Sequence, residues 1–121
     1  MTIQRTSNCD ARHLVQNLID FNGNNTYART HYATADRPTE LYIVYSYGEH
    51  FPMFIAETFQ GITKWYENGD KYSRTTSKQK TQLHPHYETT TLSAHAMRIM
   101  SAHGIAGVVL DSEKEMTWGQ L

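Results

Sequence analysis

The sequence predicts a single α+β domain, an antiparallel β-meander packed by two helices over residues 1–110, followed by an acidic tail at 111–121. Three observations lead there. Residues 41–68 contain the runs LYIVYSY, MFIAETF and ITKWYE, rich in the β-branched and aromatic residues that suit a pleated surface. Two flanking stretches, near 11–21 and 92–103, place apolar residues at helical spacing. A chain of 121 residues has the length of one domain with one modest core. The sheet is expected to have four to six strands, with both helices on its apolar side.

Taken in order, residues 1–9 are polar and irregular. Asp10 is placed to cap a helix over about 11–21, with Leu14, Val15, Leu18, Ile19 and Phe21 as its stripe and His13 beside it. Gly23 ends that helix. Residues 26–35 read as a strand with Ala28, Thr30 and Tyr32 on one face and Tyr27, Arg29 and His31 on the other. Pro38 cannot donate to a ladder, so 36–39 is a turn before the meander. In the first meander run Leu41, Ile43, Tyr45 and Tyr47 alternate with Tyr42, Val44 and Ser46, and residues 48–52 are too many for a minimal hairpin. Asn68-Gly69 is the strongest hairpin signal in the chain, since both residues accept positive φ. It is expected to lead into KYSRTTSKQKTQ as an extended edge strand. One of Thr89, Thr90 and Thr91 then caps a helix over 92–103 with Leu92, Ala96, Ile99 and Met100 inward, and Gly104 follows as its C′ residue. The apolar run 105–110 reads as a buried final strand, with Gly107 marking a bulge or a close backbone approach. Trp118 is unusual for a free tail and suggests docking.

Composition narrows the function classes. A formal charge of −1 gives no global attraction to nucleic acid or anionic membrane, but Lys71, Arg74, Lys78 and Lys80 lie in one acid-free decad and leave the rest of the chain acidic. One cysteine, Cys9, excludes an internal disulfide and gives no sign of an oxidising compartment. No apolar run approaches the roughly 20 residues of a membrane-spanning helix, and MTIQRTSNCD lacks the apolar core of a signal peptide. Without such a signal the Asn24-Asn25-Thr26 sequon has no meaning. The expectation is a soluble cytoplasmic protein with no membrane partner.

Candidate chemistry is thin. His84 and His86, with His95 or His103, invite a metal site, but the spacing matches no zinc pattern, and a helix turns His95 and His103 about 80° apart. Cys9 with His13 lacks an orienting group and an oxyanion hole, and Glu49 beside His50 is a common loop pair. There is no phosphate-binding loop, no dinucleotide glycine fingerprint and no HExxH. No catalytic residue, cofactor or metal is therefore expected. The basic segment is better founded: its cations neutralise phosphates and its hydroxyls donate to phosphate oxygens, although lysine and threonine also suit a solvated edge strand.

Three stretches, FNGNNTYA at 21–28, YIVYSYGEHFPM at 42–53 and KWYENGDKYSRTTSKQKTQ at 64–82, together resemble a family of small proteins encoded widely in bacteriophage and mobile-element genomes. The likeness spans about half the chain; where that family usually has histidine, this chain has Gln79. The family carries no activity to transfer. The resemblance implies a phage-like accessory protein acting inside a bacterial cell. By analogy, such proteins bind a host machine and block it. The leading expectation is thus a non-enzymatic inhibitor of a host complex, a CRISPR-type or other antiviral effector being the candidate target. Its binding residues are expected to be Tyr45, Tyr47, His50, Trp65 and Tyr72, with Lys71, Arg74, Lys78 and Lys80. Nucleic-acid binding through 71–80 is the second expectation, and a small metal-dependent or hydrolytic enzyme the third.

Overall fold

The computed structural model of the chain describes residues 3–46, 51–70 and 74–119, without the side chains of Phe51, 74–76 and 114–119. The fold is α+β, built on a mixed seven-stranded sheet. The strands are β1 (Gln4–Arg5), β2 (Phe21–Asn22), β3 (Thr26–His31), β4 (Glu40–Ser46), β5 (Phe51–Phe59), β6 (Ile62–Asn68) and β7 (Thr89–Leu92). The helices are α1 (Arg12–Gln16), α2 (Arg74–Leu83) and α3 (Ala94–Gly119), with a 3-10 turn at Asn8–Asp10.

Strand order in space follows strand order in the chain. From β2 to β6 every pair is antiparallel, while the outermost pairs, β1 with β2 and β6 with β7, are parallel. A parallel pair needs a crossover, usually helical. Here α1 makes the first crossover and α2 the second. Alternating directions through the meander leave β1 and β6 running the same way, and each crossover steps toward the higher-numbered strand. The right-handed rule then puts both crossovers on one face of the sheet. That is where they lie: Leu14 and Val15 of α1 and Leu83 of α2 pack with Tyr42, Val44, Phe54, Ala56 and Trp65. The other face, Leu41, Ile43, Ile55 and Tyr66, is covered by Met97, Met100, Ile105 and Val108 of α3. The central strands are buried on both sides, which is why the Leu41–Val44 run is apolar without a polar face.

Several sequence expectations change. The first helix stops at Gln16, because Leu18 takes a φ of 56° and Phe21–Asn22 are drawn into the sheet between β1 and β3. Asn68-Gly69 does not form a hairpin. The Asn68 side chain donates to Pro52 O at 3.1 Å and accepts from the Asp70 amide at 3.0 Å, and β6 takes β7 as its neighbour. The tight hairpin is Gln60-Gly61, with φ of 52° and 79° closing the Phe59–Ile62 pair; two consecutive positive φ values are what a two-residue hairpin requires. From Arg74 onward the basic segment is helical rather than extended, and 71–73 lie outside the described residues: a crossover between parallel strands must be spanned, and Arg, Lys and Gln favour a helix.

The run 105–110 is not a strand. It continues α3 beyond a sharp bend at Gly104, whose φ of 72° and ψ of −175° only glycine adopts readily. The bend folds the two arms of α3 back on each other, so that His95 meets Asp111 at 3.3 Å; Gly107 is helical and lies against the side chains of His103 and Ile99, not at a strand bulge or a backbone approach. Glu57 of β5, only 8% exposed, holds the bend. Its Oε1 accepts the Ile105 amide at 3.1 Å and its Oε2 accepts the Thr39 hydroxyl at 2.6 Å. The α3 backbone runs on to Gly119, through the segment expected as a tail. Among the described residues no helix is long and apolar enough to cross a membrane.

The two positive-φ glycines should respond differently to alanine. At Gly61 a Cβ meets open space, so only the left-handed backbone resists, at about 1–2 kcal/mol. At Gly104 the Cβ lies 2.3 Å from Glu57 Oε2, adding the loss of charge-assisted hydrogen bonds to backbone strain, together about 3 kcal/mol or more. Urea unfolding of Gly61→Ala and Gly104→Ala compares them directly; equal midpoints would show that Glu57 does not brace the bend.

Candidate functional site

α3 packs chiefly on β5 and less on β4 and β6. On that face β3 and the end of β4 present a strip of half-buried side chains: Tyr27, Arg29, His31 and Tyr45. They share a face because β3 pairs with β4 in register, Tyr27 opposite Tyr45. The two tyrosine rings stack at 4.7 Å between centroids and 15° between planes. The Arg29 guanidinium lies 5.4 Å from the Tyr27 ring centroid. It is fixed by donating to Phe21 O at 2.9 Å, Ala28 O at 2.8 Å and Asn22 Oδ1 at 2.7 Å. His31 Nε2 sits 3.1 Å from the Tyr45 hydroxyl.

Burial sets the electrostatics of the strip. Burial, and then the neighbouring Tyr27, push the Tyr45 phenol up to about 12. Burial and the charge of Arg37 lower His31, with Asp20 opposing them. Near neutral pH the Tyr45 phenol and the His31 imidazole are therefore neutral, beside the Arg29 cation. Rings of this kind give large contact area at low entropic cost.

The residues expected to form one site are not all brought together. Tyr45 belongs to the strip, but Trp65 is on the opposite face, 6% exposed, edge-on to Tyr42 at 6.3 Å and stacked by Tyr87 at 6.2 Å. There it forms one wall of a cavity of about 570 Å³ that also involves Gln16, Lys64 and Glu88. Tyr47, His50, Lys71 and Tyr72 lie outside the described residues, and Arg74 is described only as backbone. Lys78 is exposed on α2. Two positions on, and so about 200° around the helix, Lys80 turns inward. Its Nζ donates to Asn68 O at 2.6 Å and stands 3.4 Å from Glu67 Oε2. A continuous basic face is thus not what α2 presents. Tyr27, Arg29 and His31 were legible as one strand face, but nothing in the sequence marked them as facing the end of β4.

The histidines are dispersed. His84 Nδ1 accepts the His86 amide at 2.9 Å while its Nε2 stands 3.8 Å from Glu67 Oε1. Among the described residues no three His, Cys, Asp or Glu side chains are grouped to hold a metal. Cys9 Sγ is exposed and accepts from Gln82 Nε2 at 3.1 Å. Compared with protein-family models, curated proteins and solved structures, the chain matches none.

Glu67 ties β6 to both α2 and β7. Burial alone would raise its carboxyl, but the Thr89 hydroxyl at 2.7 Å, Lys80 and His84 together hold it below its ordinary 4.5. A carboxylate depressed in the folded state stabilises above its unfolded value and loses that contribution as pH falls through the folded one. Stability of the wild type should therefore drop on acidification below about pH 4.5. Glu67→Gln should be less stable at pH 7 and show a shallower acid limb in thermal unfolding from pH 7 to 3. An unchanged limb would remove Glu67 from this role.

Proposed function

We propose that this protein is a non-enzymatic binding protein of the phage-accessory kind, which engages a host protein complex in the bacterial cell through the Tyr27–Tyr45 strip and blocks it. The observation that carries the reading is the pre-ordered strip itself. Stacked tyrosines, a fixed arginine and a neutral imidazole–phenol pair resemble the aromatic and arginine anchors that dominate protein interfaces. Because Arg29 is already held by three acceptors, little side-chain freedom is left to lose on binding. The likeness to phage and mobile-element proteins supplies the setting, with a CRISPR-type or other antiviral effector as the candidate complex.

Tagged protein is used to capture partners from host lysate, with and without nuclease, and retained proteins are identified by mass spectrometry. The expected result is one host complex retained after nuclease. Tyr27→Ala should weaken its binding by about thirtyfold, the effect of removing an interface anchor worth about 2 kcal/mol, while thermal unfolding shows the variant folded. Retention of that complex by Tyr27→Ala at wild-type affinity would refute the placement. Material lost on nuclease treatment would instead favour nucleic acid at Lys71, Arg74 and Lys78. Binding would then weaken with salt at a log–log slope of about −2.7, since Lys80 is already paired.

A further inference from the structure

At the other end of β4 from Tyr45, the loop after β3, the β5–β6 hairpin and the bend of α3 enclose a cavity of about 360 Å³. Small-molecule sites occupy about 300–1,000 Å³. Phe59, Ile62, Ile105 and Ala106 form apolar walls, and Phe59 and Ile62 are 49% and 66% exposed, which is high for large apolar side chains on a hairpin. Its polar lining is divided. The acceptor there, Glu57, has both oxygens engaged, by Ile105 N–H and by the Thr39 hydroxyl. Arg37 is also engaged, donating to Tyr32 O at 2.9 Å and Thr39 O at 3.1 Å. Among the described residues the Lys64 ammonium, the Tyr66 hydroxyl and the exposed His103 ring are without a partner, and the first two are the donors that β6 supplies. They are two positions apart on β6 and so share a face.

The Tyr66 ring is buried, at 7% exposure, while its hydroxyl opens on the cavity, where a ligand can take the place of water as its acceptor. Burial, and then Glu57, raise its phenol above the ordinary value, so it remains a donor at neutral pH. With Lys64 and Arg37 against the single carboxylate of Glu57, the lining is net cationic. A site with spare donors, a positive balance and apolar walls calls for a ligand with an apolar body and an anionic acceptor at one end. We propose that this cavity binds a small apolar monocarboxylate, its chain against Phe59, Ile62, Ile105 and Ala106, its carboxylate accepting from Lys64 and the Tyr66 hydroxyl. An amine would find Glu57 already occupied and Lys64 repelling it. An alcohol would satisfy Tyr66 but not the charge.

The test uses the full chain and three probes with one alkyl body: octanoate, octanol and octylamine, each kept below its micellar concentration. Amide NMR titration reads both affinity and place. Octanoate should bind saturably, with shifts concentrated at 57–66 and 103–106, and at least tenfold more tightly than octanol or octylamine. Lys64→Gln, at an exposed position, should weaken octanoate about fivefold and leave octanol unchanged, whereas Tyr66→Phe, which keeps the ring, should weaken both octanoate and octanol about fivefold. No saturation by octanoate, octylamine binding as tightly, or both variants retaining wild-type affinity would each overturn the assignment.

Discussion

The buried carboxylate of Glu57 is the constraint on which the second layer of this fold depends. It comes from the central strand β5, and its two oxygens fix two things otherwise unconnected, the start of β4 through Thr39 and the bend of α3 through Ile105 N–H. A straight α3 would run off the sheet after Gly104 and leave Tyr66 and its neighbours to solvent. The folded-back α3 places Ile105 and Val108 over the same cluster that Met97 and Met100 begin to cover. A desolvated carboxylate is an expensive way to fix a bend unless hydrogen bonds satisfy it, as they do here.

The first layer is governed by topology. Two parallel pairs at opposite ends of an antiparallel meander, stepping the same way from strands of the same direction, send both crossovers to one face. That face receives α1 and α2, stapled by Arg12 Nε donating to His84 O at 2.9 Å and Gln16 Nε2 donating to Pro85 O at 2.9 Å. Among the described residues the opposite face is covered by α3, which packs chiefly on β5 and less on β4 and β6. The half-buried strip of Tyr27, Arg29, His31 and Tyr45 therefore follows from strand order: a single helical hairpin on that face cannot cover a seven-stranded sheet.

How much of this was legible depended on whether a signal was local. The three central strands, the α+β class, the start of β3 at Thr26 and the turning role of Gly104 follow from alternation, β-branching and glycine chemistry within a few residues, although β3 stops at His31 and not at 35. The errors share another cause. Asn68-Gly69 has hairpin chemistry, but its side chain and strand edge are claimed by partners distant in sequence, Pro52 and β7. The segment 105–110 is as apolar as a buried strand, and a short apolar run does not distinguish strand from helix; Glu57, nearly fifty residues earlier, decides it. The basic segment reads as an edge strand because it follows Asn68-Gly69, and the need to span a parallel crossover overrides that from Arg74 on. The site was less legible than the fold. Pairing of Tyr27 with Tyr45 depends on register across a loop, and the inward turn of Lys80 depends on helical rather than extended phase.

Strand order also has a consequence for how the chain acquires its structure during synthesis. Each strand from β2 to β6 pairs with the one made just before it, so the contacts of the meander are short in sequence and can form as the chain emerges. The cover for Leu41, Ile43, Ile55 and Tyr66 is made last, because α3 begins at Ala94. Until then that face of the sheet is uncovered, and the short edge strands, two residues in β1 and four in β7, offer little backbone for strand-to-strand association with other chains.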